Sequence, residues 1–265
     1  LCIVYGDGSS EIIPADTSWK ASYGGPVMYG DIFNGEYYDA NADDSWKENG
    51  YDDSGWGQAA VYEHDPELAA QRGQRLTVRD ELDLSAVSAT VYEGAVGADN
   101  QQYGVINTRA VYSGSEPFEL KKGQTAVIDF GQNFAGWAEI DAEGAKGTQI
   151  TLKYGEMLND ENGLRSRGND GPEGSVYLAN LRGAEATDIY TMSGEGIESY
   201  HPSYTYHGFR YLSVTASEDI TIHNAAGKVL TSVENVTGKL YTSNALVNRL
   251  YSNSLWGQYS NYVSI

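Results

Sequence analysis

The chain has 265 residues, 40% hydrophobic and 20% charged, which supplies a packed core and falls outside the profile of a disordered chain. Its 37 acidic residues against 17 basic ones give a formal charge of −20, a field that repels phosphate backbones and anionic lipid and disfavours nucleic acid and membrane as partners. Neutral ligands such as sugars and cations such as calcium stay open, as does the plain reading that acidity keeps the surface soluble. Thirty-one glycines and 21 tyrosines lean toward turns and pleated, half-buried surfaces. Cys2 is the single cysteine, so no disulfide can form within the chain. No apolar run approaches the ~20 residues of a spanning helix. The chain opens on Leu1 in what reads as mid-strand and stops at Tyr262-Val263-Ser264-Ile265 without polar tapering, so both ends look cut from a larger protein.

In chain order, Cys2–Tyr5 and Glu11–Ile13 read as a hairpin around Gly6-Asp7-Gly8-Ser9. The following stretch to Ala60 is rich in Trp, Tyr, Asp and Gly and lacks helical periodicity. Tyr62 to Thr77, with Pro66 and Gly73, is polar and irregular, a candidate linker. Thr125–Phe130, Trp137–Ile140 and Thr148–Tyr154 read as strands, the last alternating at Ile150, Leu152 and Tyr154. Asn159 to Arg182 is a long loop, and loops of that length serve function or pack on a neighbour. Strands resume at Asp188–Met192, Phe209–Thr215, Ile220–Ile222 and Val229–Val233. Thr242-Ser243-Asn244 offers N-caps for a short helix, in which Val247, Leu250, Tyr251, Ser254 and Leu255 share one face and would need a partner surface. The fold class expected is all-β: two β-sandwich, jelly-roll-like modules over residues 1–75 and 76–233, then a linker and helix over 234–265.

Several chemistries lack their motifs. There is no G-x-G-x-x-G, P-loop, H-E-x-x-H or G-x-S-x-G. His64, His201, His207 and His223 are scattered without metal-ligand spacing. Asp43-Asp44 and Asp52-Asp53 lie in polar turns, and adjacent residues of one turn cannot face each other across a glycosidic bond.

The run Trp46-Lys47-Glu48-Asn49-Gly50-Tyr51-Asp52-Asp53-Ser54-Gly55-Trp56 resembles a turn of galactose-binding-like jelly rolls found in many glycoside hydrolases. There, aromatics would pin a loop while Asp and Ser side chains bond its backbone. Asp16-Thr17-Ser18-Trp19-Lys20, Gly25-Pro26 and Asp31-Ile32-Phe33-Asn34-Gly35-Glu36-Tyr37-Tyr38-Asp39-Ala40 are similar to the first domain of bacterial α-L-rhamnosidases of glycoside hydrolase family 78. Asp129-Phe130-Gly131-Gln132-Asn133-Phe134-Ala135-Gly136-Trp137 resembles the signature of that family's next β-sandwich. Tyr154-Gly155-Glu156-Met157-Leu158, Asn180-Leu181-Arg182-Gly183-Ala184, Thr187–Tyr190 and Tyr204–Tyr211 follow in the family's order, and Trp256-Gly257-Gln258 is similar to its helical linker. The resemblance covers nearly the whole chain, with a weak stretch from Tyr62 to Lys122.

That resemblance implies a parent enzyme that removes terminal α-L-rhamnose with inversion, using two carboxylates of an (α/α)6 barrel beyond Ile265. No position here matches them, so this region is expected to be non-catalytic, in a bacterial protein whose compartment the sequence leaves open. A lectin-like, rhamnose-binding module is the alternative. Within the second sandwich, Gly131 and Gly136 are expected to supply turn conformations, Trp137 to anchor the core, and Tyr206, Phe209 and Tyr211 to alternate along a strand. Arg165, Arg167 and Arg182 concentrate scarce positive charge and, with Leu250, Leu255 and Trp256, are the candidate barrel-docking residues. Asp31, Asn34, Glu36, Tyr38 and Asp39 are candidate carbohydrate contacts, and Asp31, Asn34 and Asp39 candidate ligands for calcium, which takes oxygen donors. The competing reading of that segment is a surface strand with a bulge at Gly35.

Overall fold

The computed structural model describes residues 1–62, 67, 69–70, 72–114 and 116–263 of the chain; His64, Pro66, Ser264 and Ile265 lie outside the described residues. The chain divides into two compact units, residues 1–26 with 42–71 and residues 27–41 with 72–265.

The first unit is built from short pairings. β1 (Cys2–Val4) and β2 (Ser10–Ile12) form the expected antiparallel hairpin, with Cys2 opposite Ile12. Its turn closes because Asp7 accepts the Ser9 N–H and Gly8 takes a left-handed φ of 85°. β3 (Lys20–Ala21) is followed by β4 (Val27–Asp31) and β5 (Gly35–Asp39), which belong to the second unit, and β6 (Gly57–Gln58) returns to pair with β3.

The second unit is a β-sheet fold with one helix. In chain order it holds β4 and β5, then β7 (Thr77–Val78), β8 (Leu84–Ser85), β9 (Ser88–Val96), β10 (Val105–Ser113) and β11 (Phe118–Leu120). β12 (Thr125–Gly144), β13 (Gln149–Gly155), β14 (Thr187–Thr191), β15 (Ile197–Tyr200), β16 (His207–Ala216) and β17 (Ile220–Thr231) complete the strands. The chain is thus all-β with a short terminal helix.

β12 organises the rest. Residues 125–129 pair with β9 and residues 125–136 with β16, while residues 136–144 pair with β17 and residues 140–143 with β15. One continuous strand therefore serves two sets of partners. Its bend falls where Asp129 faces Tyr211 and Phe134 faces Phe209, so that four residues intervene on β12 against one on β16. Gly131 takes φ 73° in this bulge. The turn expected at Gly131–Gly136 is thus a bulge inside a strand, and Gly136 is needed for space: a Cβ there would lie 1.9 Å from the Lys228 carbonyl oxygen.

Alternation buries Ala126, Ile128 and Phe130, then Ala138, Ile140 and Ala142 on β12, and Ile150, Leu152 and Tyr154 on β13, in one apolar core. Along β16 the inward set is His207 and Phe209, then Leu212 and Val214. The inward phase slips between them, opposite the β12 bulge. Phe209 is core as expected, while Tyr206 and Tyr211 stay half-buried, because the slip breaks a simple alternation through them. Trp137 is also only half-buried; it stacks on the His201 ring at 5.2 Å.

The sheet continues from β16 through β13 and β14 to β5 and β4. β5 joins β14 in parallel, Tyr37 opposite Ile189 and Asp39 opposite Thr191. The segment from Val27 to Asn41, expected within a first module ending near residue 75, thereby becomes an edge of the second unit's sheet. α1 (Ala245–Asn261) starts where expected, its N-cap Asn244 accepting the Leu246 N–H at 2.9 Å.

Candidate functional site

The edge hairpin β4–β5 carries the polar segment singled out in the sequence. Asp31 Oδ1 accepts the N–H groups of Phe33 and Asn34 at 2.9 and 2.8 Å, closing the turn. Asn34 donates to the Tyr29 hydroxyl and accepts the Glu185 N–H. Asp39 Oδ1 accepts from the backbone and side-chain nitrogens of Asn41. Tyr38 packs 5.9 Å from the Tyr190 ring and 6.0 Å from that of Tyr200. Oδ1 of Asp31, Oδ1 of Asp39 and the Asn34 amide are thus engaged by local turn or strand partners. Among the described residues, no three His, Cys, Asp or Glu side chains gather as a metal site.

Glu36 has a different setting. It is fully buried; Oε2 accepts the Ser203 and Tyr204 N–H groups at 2.8 and 3.0 Å, and Oε1 accepts the Tyr200 hydroxyl at 3.4 Å. Burial pushes its carboxyl above the ordinary range, against those hydrogen bonds. The Glu36 N–H in turn donates to Asp188 Oδ1 at 2.9 Å. Asp188, also fully buried, accepts the Tyr154 hydroxyl at 2.7 Å, and His207 Nε2 lies 3.2 Å from both its oxygens. The Tyr154 and His207 rings stack at 3.9 Å. Burial, then the nearby Asp188 charge, raises the Tyr154 phenol.

Two buried acids beside a histidine are what a search for catalytic carboxylates selects. Here every carboxylate oxygen has a protein partner, and both acids are wholly enclosed. The cluster satisfies backbone and hydroxyl groups where β5 docks on the sheet, which is core work. Sequence reasoning singled out Glu36 as a candidate carbohydrate contact in a small polar site, and missed Asp188 and Tyr154 as polar partners. The signal available was an acid directly after a glycine. At Gly35 a Cβ would lie 2.0 Å from the Thr187 carbonyl oxygen, so the chain approaches its neighbour there as only glycine permits.

In the first unit, the Trp46–Trp56 run forms an aromatic cup. The Trp56 ring lies 6.4 Å from that of Trp46 and meets Tyr51 edge-on at 5.9 Å. Asp52 accepts the Ser54 N–H and Asp43 the Ser45 N–H, as capping residues do. These rings, with Asp43, Ser22, Gly24 and Gly25, line a cavity of about 520 Å³. Aromatic faces beside a few polar groups can hold a small polyhydroxylated ligand.

The candidate docking residues fall into two groups. Arg165 lies 3.7 Å above the Tyr103 ring, and Arg167 pairs with Asp160 and Glu161 at 3.0 and 3.3 Å, so both are engaged within their own surroundings. Arg182 is exposed, at φ 59°. On α1, Leu250 is 66% exposed, Leu255 is half-buried, and Trp256 packs partly on the core.

The chain is thus an all-β protein region with one terminal helix, whose two fully buried acids are bonded within its core. Residues 1–80 match the family model described as the α-L-rhamnosidase N-terminal domain, and residues 119–235 the bacterial α-L-rhamnosidase concanavalin-like domain. The chain belongs to the bacterial α-L-rhamnosidase family over these domains. It is 32% identical to an α-L-rhamnosidase of Streptomyces avermitilis, matching all of this chain and 22% of that protein, and 26% identical to one of Alteromonas sp. (strain LOR), matching 25% of it. Its fold is similar to the crystal structure of the Streptomyces avermitilis enzyme complexed with L-rhamnose, with TM-score 0.72 and 29% identity over all of this chain and 22% of that one. The α-L-rhamnosidase from Dictyoglumus thermophilum gives TM-score 0.73 and 28% identity, covering all of this chain and 25% of that one. The chain spans about a quarter of the length of these relatives.

Proposed function

We propose that this chain is the non-catalytic β-rich region of an α-L-rhamnosidase that hydrolyses terminal α-L-rhamnose from glycans or glycosides. The observation that carries the reading is the pair of family matches along residues 1–80 and 119–235, over a region a quarter the length of relatives named for that activity. The parent's acid and base would come from an (α/α)6 barrel in the same polypeptide. The face of α1 around the exposed Leu250 and half-buried Leu255 and the Arg165–Arg182 loop would meet that barrel. The test is turnover of an aryl α-L-rhamnoside by the purified 265-residue chain and by the full-length gene product. Activity confined to the longer protein supports the reading; activity of the chain alone that persists through repurification refutes it.

A second reading, a rhamnose-binding module, is favoured by one observation, the Trp46–Tyr51–Trp56 cavity. In this reading the rings stack on the sugar and Asp43 accepts its hydroxyls. Calorimetric titration of L-rhamnose, with and without calcium, tests it. Binding that is lost in Trp46→Ala and Trp56→Ala supports the module, and calcium dependence would bring Asp31, Asn34 and Asp39 back as ligands.

A further inference from the structure

A different cavity lies in the second unit. The β12 bulge, the start of β16 and the last turns of α1 enclose about 490 Å³, within the ~300–1,000 Å³ typical of small-molecule sites. Its wall combines Gln132, Asn133, Glu156, Tyr206, Asn253 and Trp256. We propose that this cleft is a binding subsite for a neutral saccharide, separate from the first unit's aromatic cup.

The composition of the wall decides the ligand class. None of the lining residues is cationic, and Glu156 adds a carboxylate in a chain of net charge −20, so phosphate, sulfate and acidic sugars are repelled. A single acid does not make a cation cage. Amides line the cleft too densely for a purely apolar ligand, which would leave them without partners. What remains is a neutral molecule with many hydroxyls and one apolar face.

The polar groups are held in place and only partly spent. Glu156 Oε1 accepts Asn133 Nδ2 at 2.8 Å, and its Oε2 accepts Asn180 Nδ2 at 3.4 Å. Gln132 Nε2 donates to the Asn133 carbonyl at 2.8 Å, and Asn261 Nδ2 to the Gly257 carbonyl at 2.6 Å. These bonds fix three amides and leave the side-chain oxygens of Gln132, Asn133 and Asn261 as acceptors for sugar hydroxyls. The Asn253 amide and the Tyr206 hydroxyl make no hydrogen bond among the described residues and can donate. Trp256 meets Tyr259 edge-on at 5.7 Å, which leaves indole surface for the apolar side of a sugar ring. The bulge is what makes the site: it lifts Gln132 and Asn133 out of the strand ladder, so their side chains serve the cleft.

The experiment is saturation-transfer NMR on the 265-residue chain with L-rhamnose, D-galactose, D-glucose and D-galacturonate, up to about 50 mM for ligands of millimolar affinity. The expected result is transfer to at least one neutral sugar and none to galacturonate. Measured in a Trp46→Ala background, which removes the first unit's cup, that signal should weaken at least tenfold on adding either Trp256→Ala or Asn133→Ala, while Glu156→Gln should admit galacturonate. Asn133→Ala removes an exposed side chain, so it keeps the test valid if the tryptophan variant misfolds. Transfer lost in Trp46→Ala but retained in Trp256→Ala and Asn133→Ala would assign the sugar to the first unit and overturn the proposal. Absence of transfer to every neutral sugar would overturn it too. Neither outcome bears on the rhamnosidase assignment, which the turnover assay decides.

Discussion

At the scale of single residues, two acids titrate in opposite senses, and their signs can be separated. Burial raises Asp129, but the bidentate Arg210 guanidinium, at 2.8 Å to each oxygen, and the Gly131 N–H hold it below the ordinary carboxylate range. Its contribution is therefore present above the unfolded value of ~3.9 and fades as pH falls through the lower folded value. Glu36 is raised by burial, so its contribution is complete below ~4.3 and fades as pH rises through the folded value. Urea midpoints measured from pH 3 to 7 should show Asp129→Asn flattening the acid limb and Glu36→Gln steepening the rise of stability from acid toward neutral. Glu36→Gln keeps an oxygen for the Ser203 and Tyr204 N–H groups and should cost little at pH 7. Glu36→Ala leaves the buried Tyr200 hydroxyl and the part-buried Ser203 and Tyr204 N–H groups without their acceptor, at up to about 1–3 kcal/mol for the buried group and less for the two that water can reach. A loss in Glu36→Ala no larger than in Glu36→Gln would show that water replaces the carboxylate. Glu36 was visible in the sequence as a polar residue among aromatics. Its partners are not, because Asp188 and Ser203 stand more than 150 residues away and only the parallel pairing of β5 with β14 brings them together.

At the scale of elements, β12 shows where local pattern suffices and where it fails. The alternation at Thr125–Phe130 and Trp137–Ile140 is readable, since one face of each stretch is buried. The glycines between them suggest a turn, and in a hairpin they would make one. Here partners on both sides keep the strand running, and the extra residues are absorbed as a bulge. β9 and β10 escape the sequence reading for another reason. Their outer residues from Tyr92 to Val96 are half-buried or exposed, so the apolar alternation fades along the hairpin. The consequence for β12 is a position-specific glycine requirement. Gly136→Ala drives a methyl group into the Lys228 carbonyl and should cost at least ~2 kcal/mol, at the upper end of overpacking effects. Gly208→Ala, opposite Ala135 on the neighbouring strand with open space at its Cβ, should stay within ~0.5 kcal/mol. Equal losses in the two variants would remove close approach as the reason for Gly136. The Asn159–Arg182 loop follows the same logic, since its length marks it but not its ordering. Buried Asn159 bonds Ser175, and Asn169 bonds Asp160 and the Leu164 carbonyl, so the loop is braced by its own amides.

At the scale of the whole chain, the fold class, the chain-order motifs and the terminal helix with its cap were legible. The assignment of residues 27–41 to the second unit was not, because an edge strand's partner depends on contacts distant in sequence. Charge is the property that no single element owns. The chain carries −20, and its ion pairs are mostly exposed, such as Lys20 with Asp53 and Lys122 with Glu218. Exposed pairs contribute ~0–1 kcal/mol each and weaken in salt. With 37 acids against 17 bases, acids outnumber cations more than two to one, and their mutual repulsion favours the expanded state. Screening acts on both terms as the Debye length shrinks from ~30 Å at 0.01 M to ~8 Å at 0.15 M. The repulsive pairs outnumber the attractive ones and act over longer distances, so their relief wins. The Tm of the isolated chain at pH 7 should therefore rise by a few degrees, on the order of 1 kcal/mol, between 0.01 and 0.15 M sodium chloride. At pH 4.5, where many of the carboxylates are partly protonated and the excess charge falls, the same salt step should produce a smaller rise. A Tm that falls with salt at pH 7 would mean that the exposed ion pairs, rather than the net charge, govern the electrostatics of this chain.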